Sequence, residues 1–508
     1  MWRVNRYVDE VRQLLNQRPL VKRVAKVIFT PVIVTIDRQY TKKYNNWLRK
    51  HLPTAAELQR QRVDAEAFGY LPLITIVVPT FNPDSGHFIE MAQSVIAQSY
   101  QNWELIFIDD ASSRRDVRDT IRRLAEADKR ITYHFLKTNR QIAGATNEGI
   151  KRATGEFVGL LDNDDILQPN ALYEVVKVLN QNTALNFIYS DEDKFETSDT
   201  PHSYPYFKPD WNPEFLRSVN YITHFAVMRR SVLDSIGGED GEYNGAQDWE
   251  LFLRIARNID DSTIAHIPKI LYSWRVHDGS TAKGIEVKPY VVQAQRRLLE
   301  ADMQTRHIHG YQLKQDNLYP AQWVVSYPAV PTTEDLLIIA MNDQAYSSAK
   351  PLEALGKYVV RHQDAVDARL DLPKVSYVLY VFEPVNETDF IKGVEGMLSD
   401  AIRKDIGFVV AAHRDPDMAM RYIERMINPD AVDLVKRSST REVTKHFYTT
   451  VRYNIPQVLP MGIMMIQSAK LLTALSRCNC ELEDVQSISM YLEESESCRS
   501  LYNPYVRC

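Results

Sequence analysis

From Leu73 onward the chain alternates between short β-branched runs and amphipathic helical stretches, and this alternation constrains its fold more than any other feature. The run Leu73-Ile-Thr-Ile-Val-Val78 has the character of a buried strand and ends in Pro79. A helix with apolar positions Phe88, Met91, Val95 and Ile96 leads to a strand over Leu105–Ile108. An Arg-rich helix (Arg114–Ala127) leads to Ile131–Leu136, a helix from Ala143 to Ala153 to Phe157–Leu161, and a helix from Pro169 to Asn186–Tyr189. Strands and helices at this spacing predict an α/β domain with a mainly parallel sheet covered on both faces. Ligands of such sheets bind beyond the carboxyl ends of the strands.

The strand ends carry the chemistry. The first ends in Pro79-Thr80-Phe81-Asn82, the second in Asp109-Asp110-Ala111-Ser112 and the fourth in Asp162-Asn163-Asp164-Asp165. One Asp per turn is explained by helix capping, but a run of three around Asn163 is not. Carboxylates in a D-x-D arrangement suit a nucleotide diphosphate, because they can hold ribose hydroxyls and one Mg²⁺ or Mn²⁺ whose coordination the phosphates complete. The cation would then act as a Lewis acid for the departing diphosphate. No Walker-type loop is present and no G-x-G-x-x-G follows the first strand, which argues against kinase-like and dinucleotide-binding readings.

The ordered segments LITIVVPTFNPD, VIAQSYQNWELIFIDDAS, GATNEGIKRATGEFVGLLDNDD, YSDEDK, YFKPDW, NYITHFAVMRRSVLDSIGG, GAQDWELFLRI and HIPKILYSWRVHDGSTA resemble glycosyltransferase family 2. More narrowly they are similar to its bacterial cell-surface polysaccharide branch, and Arg49–Arg62 is similar to the leader of that branch. The resemblance implies a GT-A nucleotide-diphospho-sugar transferase fold. It implies that Pro79 and Thr80 line the base pocket, that Asp110 accepts from the base, and that Asp162 and Asn163 lie against ribose and phosphates. Asp162 and Asp164, with His277, would hold the divalent metal, and Arg275 and His277 would close on the diphosphate. Asp248 would be the catalytic base. Many members have Glu-Asp where this chain has Gln247-Asp248, a departure that keeps the acid needed for chemistry. An inverting transfer needs one carboxylate at the acceptor hydroxyl and no second nucleophile. Asp191, Glu192, Asp193 and His224 would edge the acceptor cleft; a hairpin turn and a core histidine are the alternatives. Asn147 would be a structural polar residue of the helix beneath the nucleotide, or a surface one.

At 508 residues the chain is long enough for two or three domains. The expected division is a basic helical arm (1–70), the catalytic domain (71–310) and a third segment (311–508). The net charge of −5 hides an asymmetry, since residues 1–50 hold 12 Lys/Arg against 3 Asp/Glu. Such an arm suits an anionic membrane surface better than nucleic acid, or is a solvated helical face. The apolar run Val27–Ile36 is broken by Pro31 and too short to span a bilayer. A peripheral place at the cytoplasmic face of the membrane is therefore expected. Cys478, Cys480, Cys498 and Cys508 match no zinc spacing and read as free thiols.

The last segment holds a faint internal repeat. Tyr377–Val385 with a helix over Phe390–Leu398 is similar to Phe157–Asp165 with Ala171–Leu179, and Leu501–Tyr505 echoes Ala265–Lys269. In that register Phe382, Glu383 and Pro384 stand where Asp162, Asn163 and Asp164 stand, and Ser487 falls opposite Asp248. The segment reads as a degenerate, non-catalytic GT-A-like domain for packing, dimerisation or acceptor binding, or as chance similarity. The expected activity is a metal-dependent inverting hexosyl- or rhamnosyltransferase with a UDP- or dTDP-sugar donor and a glycan or lipid-linked acceptor. The alternatives are a non-catalytic scaffold subunit and a nucleotidyltransferase, the latter disfavoured by the missing Gly-rich, Lys-bearing loop.

Overall fold

The computed structural model describes residues 39, 41–277, 289–307, 311–315, 322–326 and 336–350, position 471, and five strands beyond these. The chain divides into two compact units, Met1–His307 being the bulk of the first. Residues 1–38, including the apolar run, lie outside the described residues, as do Phe382–Pro384, the helix expected over Phe390–Leu398, Ser487 and the four cysteines. No helix among the described residues is long and apolar enough to cross a membrane.

The first unit is built on a nine-stranded sheet. Its strands are β1 (Ile74–Thr80), β2 (Trp103–Asp109), β3 (Ile131–Phe135), β4 (Phe157–Leu160), β5 (Ile166–Leu167), β6 (Phe187–Phe195), β7 (Ser203–Tyr206), β8 (Ala226–Arg229) and β9 (Ile264–Arg275). The order is β3-β2-β1-β4-β8-β6-β9-β5, with β7 beside β6. Strands β1 to β4 run parallel, as the alternation predicts, while β8 is antiparallel to both its neighbours. Ile74, Ile76, Val77 and Val78 are all buried, which explains why this strand reads as an unbroken apolar run.

The helices after β1 and β2 (Ser85–Ile96 and Arg115–Ala127) bury Phe88, Met91, Val95, Val117 and Ile121. The helix Gln141–Arg152 comes so close to β1 that a Cβ on Gly149 would sit 2.3 Å from Val77 Cγ1. Glycine costs a helix interior roughly 1 kcal/mol of propensity, and here that cost permits the close approach. Two helices precede the sheet, across 41–51 and over Ala55–Glu66; the second opens with a reciprocal Thr54–Glu57 capping box. The first is docked, not free. Tyr44 Oη donates to Asp193 Oδ2 at 2.5 Å, and Asn45 exchanges hydrogen bonds with the backbone of His202.

The second unit contains a six-stranded sheet of β12 (Leu336–Ala340), β13 (Tyr358–Arg361), β14 (Tyr377–Val381), β15 (Ile406–Ala412), β16 (Ile463–Gln467) and β17 (Arg499–Arg507). A separate two-stranded sheet joins β10 (Gln312–Gln315) and β11 (Trp323–Ser326). The six-stranded order is β13-β12-β14-β16-β15-β17; only β16 runs against its neighbours, and β15 and β17 are parallel. In the first unit β2-β1-β4-β8-β6-β9 has the same sequence of positions and directions. In that correspondence β14 takes the place of β4 and β17 that of β9.

One long-range clamp ties the elements around the strand ends. Asn147 Nδ2 donates to the Glu239 carbonyl and Asn147 Oδ1 accepts from the Glu239 N–H, both at 2.7 Å. Gly238 has φ +73°, and a Cβ there would lie 2.3 Å from Asn147 Oδ1, so the turn needs glycine on both counts. Asn147→Ala strips two partly buried backbone groups of partners and should cost about 1–3 kcal/mol. Thermal unfolding should show a fall of several degrees; an unchanged midpoint would mean that water replaces the amide.

Candidate active site

The turn after β4 brings the acids together, and Asp165 is its anchor. Asp165 is fully buried, its Oδ2 accepting from Tyr272 Oη at 2.5 Å and its Oδ1 from the Arg275 N–H at 2.7 Å. Burial first, then the charges of Asp162 and Asp164, push its carboxyl well above the usual carboxylate range. Asn163 turns back, its Nδ2 donating to the Pro79 carbonyl at 3.1 Å and so joining the ends of β1 and β4. Asp162 and Asp164 face outward, with 42% and 25% of their side chains exposed.

Two histidines flank this pair. His277 Nε2 lies 2.8 Å from Asp164 Oδ2. His224 lies with Nε2 3.8 Å from Asp162 Oδ2 and Nδ1 3.6 Å from Glu192 Oε2, its ring stacked on Tyr272 at 4.5 Å. Burial alone would lower the His224 pKa, but Glu192 and Asp162 outweigh it and raise it to about 9. Among the described residues, ligand atoms of Asp162, Asp165 and His224 lie within 4.8 Å of one another. Both Asp165 oxygens already have internal partners, whereas Asp162 and Asp164 are the partly exposed carboxylates of the turn, with His277 beside Asp164. The two carboxylates are the oxygen donors that Mn²⁺ or Mg²⁺ prefers.

At the ends of β1 and β2, Thr80 and Asp110 are buried. Asp110 Oδ1 accepts from the Arg140 N–H at 2.6 Å, and the Asp110 carbonyl accepts from Asn139 Nδ2 at 3.2 Å. Asp110 therefore holds the entry to the helix Gln141–Arg152, and burial raises its carboxyl.

Asp248 occupies the first turn of the helix Gln247–Asn258. Asn220 Nδ2 donates to its Oδ2 at 2.6 Å, fixing the carboxylate, and burial raises its pKa above the ordinary Asp value. Asp248 and Asp162 are close enough for the charge of one to act on the other. Gln247 does not take over acid chemistry: its Oε1 accepts from the Gly245 N–H at 2.7 Å.

Two expectations are corrected here. Arg275 does not reach toward a diphosphate: its side chain is fully buried, Nη2 is 2.7 Å from Glu90 Oε2, and Nε donates to the Asp164 carbonyl at 2.6 Å. A guanidinium is the side chain suited to holding several carbonyls in a fixed fork, and this one holds the acid turn from behind. Nor do Asp191, Glu192 and Asp193 edge an open cleft. All three are buried on β6. Asp191 Oδ1 faces His266 Nε2 at 2.8 Å, and Glu192 pairs with the buried Lys208 at 3.2 Å. Asp193 accepts from Tyr44 and Ser273. Their partners Tyr44, Lys208, His266 and Ser273 hold them inside the protein.

Sequence reading missed Asn220, Glu90, Lys208 and Glu239. Each acts across 14 or more residues of chain. No local spacing marks such contacts, although Asn220 and Glu239 sit inside or beside the segments NYITHF and SIGG.

Residues 75–237 match the family model described as glycosyl transferase family 2. An uncharacterized protein of Sinorhizobium fredii is 42% identical over 229 residues, which are 45% of this chain and 25% of that protein. The O-antigen biosynthesis protein RfbC of Myxococcus xanthus is 33% identical over 273 residues, 54% of this chain and 21% of its own length. This chain thus spans a quarter or less of these two curated relatives. Among solved structures, S. aureus TarS 1–349 in complex with UDP-GlcNAc is similar at 18% identity and a TM-score of 0.38, over 45% of this chain and 66% of that one. With the parallel sheet, the acid turn and the matched segment in agreement, the chain carries a glycosyl transferase family 2 domain over residues 75–237.

Proposed function

We propose that this chain transfers a hexosyl or rhamnosyl group, with inversion, from a UDP- or dTDP-linked donor to a growing cell-surface polysaccharide or lipid-linked glycan. The observation that carries the reading is the pairing of an outward-facing Asp162/Asp164 turn with a fixed Asp248 whose charge reaches Asp162. The name of the Myxococcus relative supports a surface-glycan acceptor.

In the proposed mechanism Pro79, Thr80 and Asp110 border the nucleotide, and Asp162 and Asp164 turn toward its phosphates. Asp162, Asp164 and His277 would hold a divalent cation, which when bound supplies charge neutralisation for the leaving diphosphate. Asp248 accepts the proton of the acceptor hydroxyl as its oxygen attacks the anomeric carbon on the face opposite the diphosphate. One C–O bond forms, the C–O bond to the diphosphate breaks, and the nucleoside diphosphate leaves. Asn220 keeps the base oriented throughout, and protonated His224 offsets part of the negative charge around Asp162. The second unit, in this reading, is a second copy of the same sheet that lacks the acid pair and serves packing, dimerisation or acceptor binding.

Three outcomes test this. Asp248→Asn should lower turnover on the order of 10²–10⁴-fold with donor affinity nearly unchanged; wild-type turnover would remove Asp248 from the chemistry. Because the base must be deprotonated and its pKa is raised, the acid limb of the kcat/KM profile should lie above the ordinary carboxylate range. A limb near pH 4 or below would point to a different base. Calorimetric titration of UDP or dTDP should give much weaker binding in EDTA than in Mn²⁺ or Mg²⁺, and equal affinities would sink the metal assignment.

The basic stretch 1–50 motivates a peripheral contact with anionic membrane at the cytoplasmic face, at about 1 kcal/mol per Lys or Arg near the surface. Co-sedimentation with phosphatidylserine vesicles should weaken as salt rises. Binding indifferent to salt would leave the arm a packed element.

A further inference from the structure

We propose that Glu239 is a specificity-determining residue of this transferase, its carboxyl engaging a hydroxyl of the sugar being transferred. The inference rests on the donor reading above and adds the residue that distinguishes one sugar from another.

Glu239 is buried, with 6% of its surface exposed. The Thr146 hydroxyl bonds to its carboxyl, while Oε2 has no hydrogen-bond partner among the described residues. Asp109 Oδ1 and Asp191 Oδ2 are likewise buried without a partner among the described residues, whereas other buried carboxylates of this unit are fully satisfied. Both oxygens of Asp165 and both oxygens of Asp193 are satisfied from within the protein. A buried oxygen left bare is costly, and a site that receives a ligand hydroxyl is one place where such a cost is recovered.

The loop that carries Glu239 is held unusually firmly. Asn147 grips its N–H and carbonyl, and Arg254 donates to the carbonyls of Ile236 and Gly238, each at 2.5 Å. Gly237 and Gly238 supply the positive φ values that turn the chain. A group fixed on this many supports is preorganised, which is what discrimination between similar ligands requires.

Its position selects the sugar over the nucleotide. Glu239 feels the charges of Asp248, the proposed base, of Asp162, on the proposed diphosphate side, and of Glu250 on the same helix as Asp248. The anomeric carbon must lie between the first two of these groups during transfer, so a carboxyl near both overlooks the sugar ring. Burial first, then these charges, raise the Glu239 pKa to about 8. Near neutral pH the group is therefore largely protonated and can both donate to and accept from a hydroxyl.

The test uses the full chain with Mn²⁺, and calorimetry against UDP, dTDP and GDP alone and against UDP-galactose, UDP-N-acetylglucosamine, dTDP-rhamnose and GDP-mannose. For the sugar nucleotide that wild type binds best, the quantity read is its affinity relative to the bare nucleotide. Glu239→Ala should leave bare-nucleotide affinity within about twofold and reduce the relative affinity about tenfold or more. Glu239→Gln, which keeps shape and fold, should change the ranking of the sugars. An unchanged ratio and ranking in both variants would overturn the proposal. An equal loss for nucleotide and sugar nucleotide would also overturn it, by showing a structural role. A wild-type chain that binds none of the nucleotides would instead bring down the donor reading on which the proposal rests.

Discussion

The acid turn depends on one buried carboxylate, Asp165, whose two oxygens are both engaged inside the protein. Its two hydrogen bonds, from Tyr272 Oη and the Arg275 N–H, fasten the turn after β4 to β9. With Asp165 fixed inward, its outward neighbours Asp162 and Asp164 must stand at the lip of the sheet. Arg275 reinforces the arrangement through the Asp164 carbonyl, and its remaining charge is met by Glu90. The acid run is thus one structural residue and two available ones, which is why a bare count of carboxylates overstates the ligand set.

Much of this was legible from residues alone. The buried run Ile74–Val78, the apolar spacing of the helix Ser85–Ile96 and the acids at the strand ends are local signals, and local signals survive in a sequence. The same logic explains the failures at Arg275 and at Asp191–Asp193. Polar residues near a site are read as facing it, yet here a nine-residue strand hydrogen-bonded on both edges carries three buried acids. Their partners, Lys208, His266, Tyr44 and Ser273, come from distant segments and leave no periodic trace. A buried ion pair is weak evidence for stability, but removing one partner of such a pair is severe. These acids are therefore held by structure as firmly as catalytic ones are by chemistry.

The similarity between Phe157–Asp165 and Tyr377–Val385 is only a few residues deep, but β4 and β14 hold the same position in two sheets whose shared strands follow the same order. Strand order responds to which runs are apolar and how long the connections are, and it tolerates wide substitution at strand ends. Position along the sheet and chemistry at its lip are separately specified.

The electrostatics of the first unit then bear on how a nucleotide diphosphate could enter. Asp162, Asp164 and Asp248 face the site, while the nearby guanidinium of Arg275 is turned away toward Glu90. Two like charges 4 Å apart at an effective dielectric near 20 repel by about 4 kcal/mol. An anionic diphosphate approaching this lip meets net repulsion unless positive charge arrives with it. His224, with its pKa raised to about 9, contributes one such charge on the Asp162 side. It cannot serve Asp164 as well, since its ring is committed between Asp162 and Glu192. On the Asp164 side His277 Nε2 stands 2.8 Å from the carboxylate. In the proposed reading a cation held there would offset that repulsion, which ties donor affinity to metal affinity.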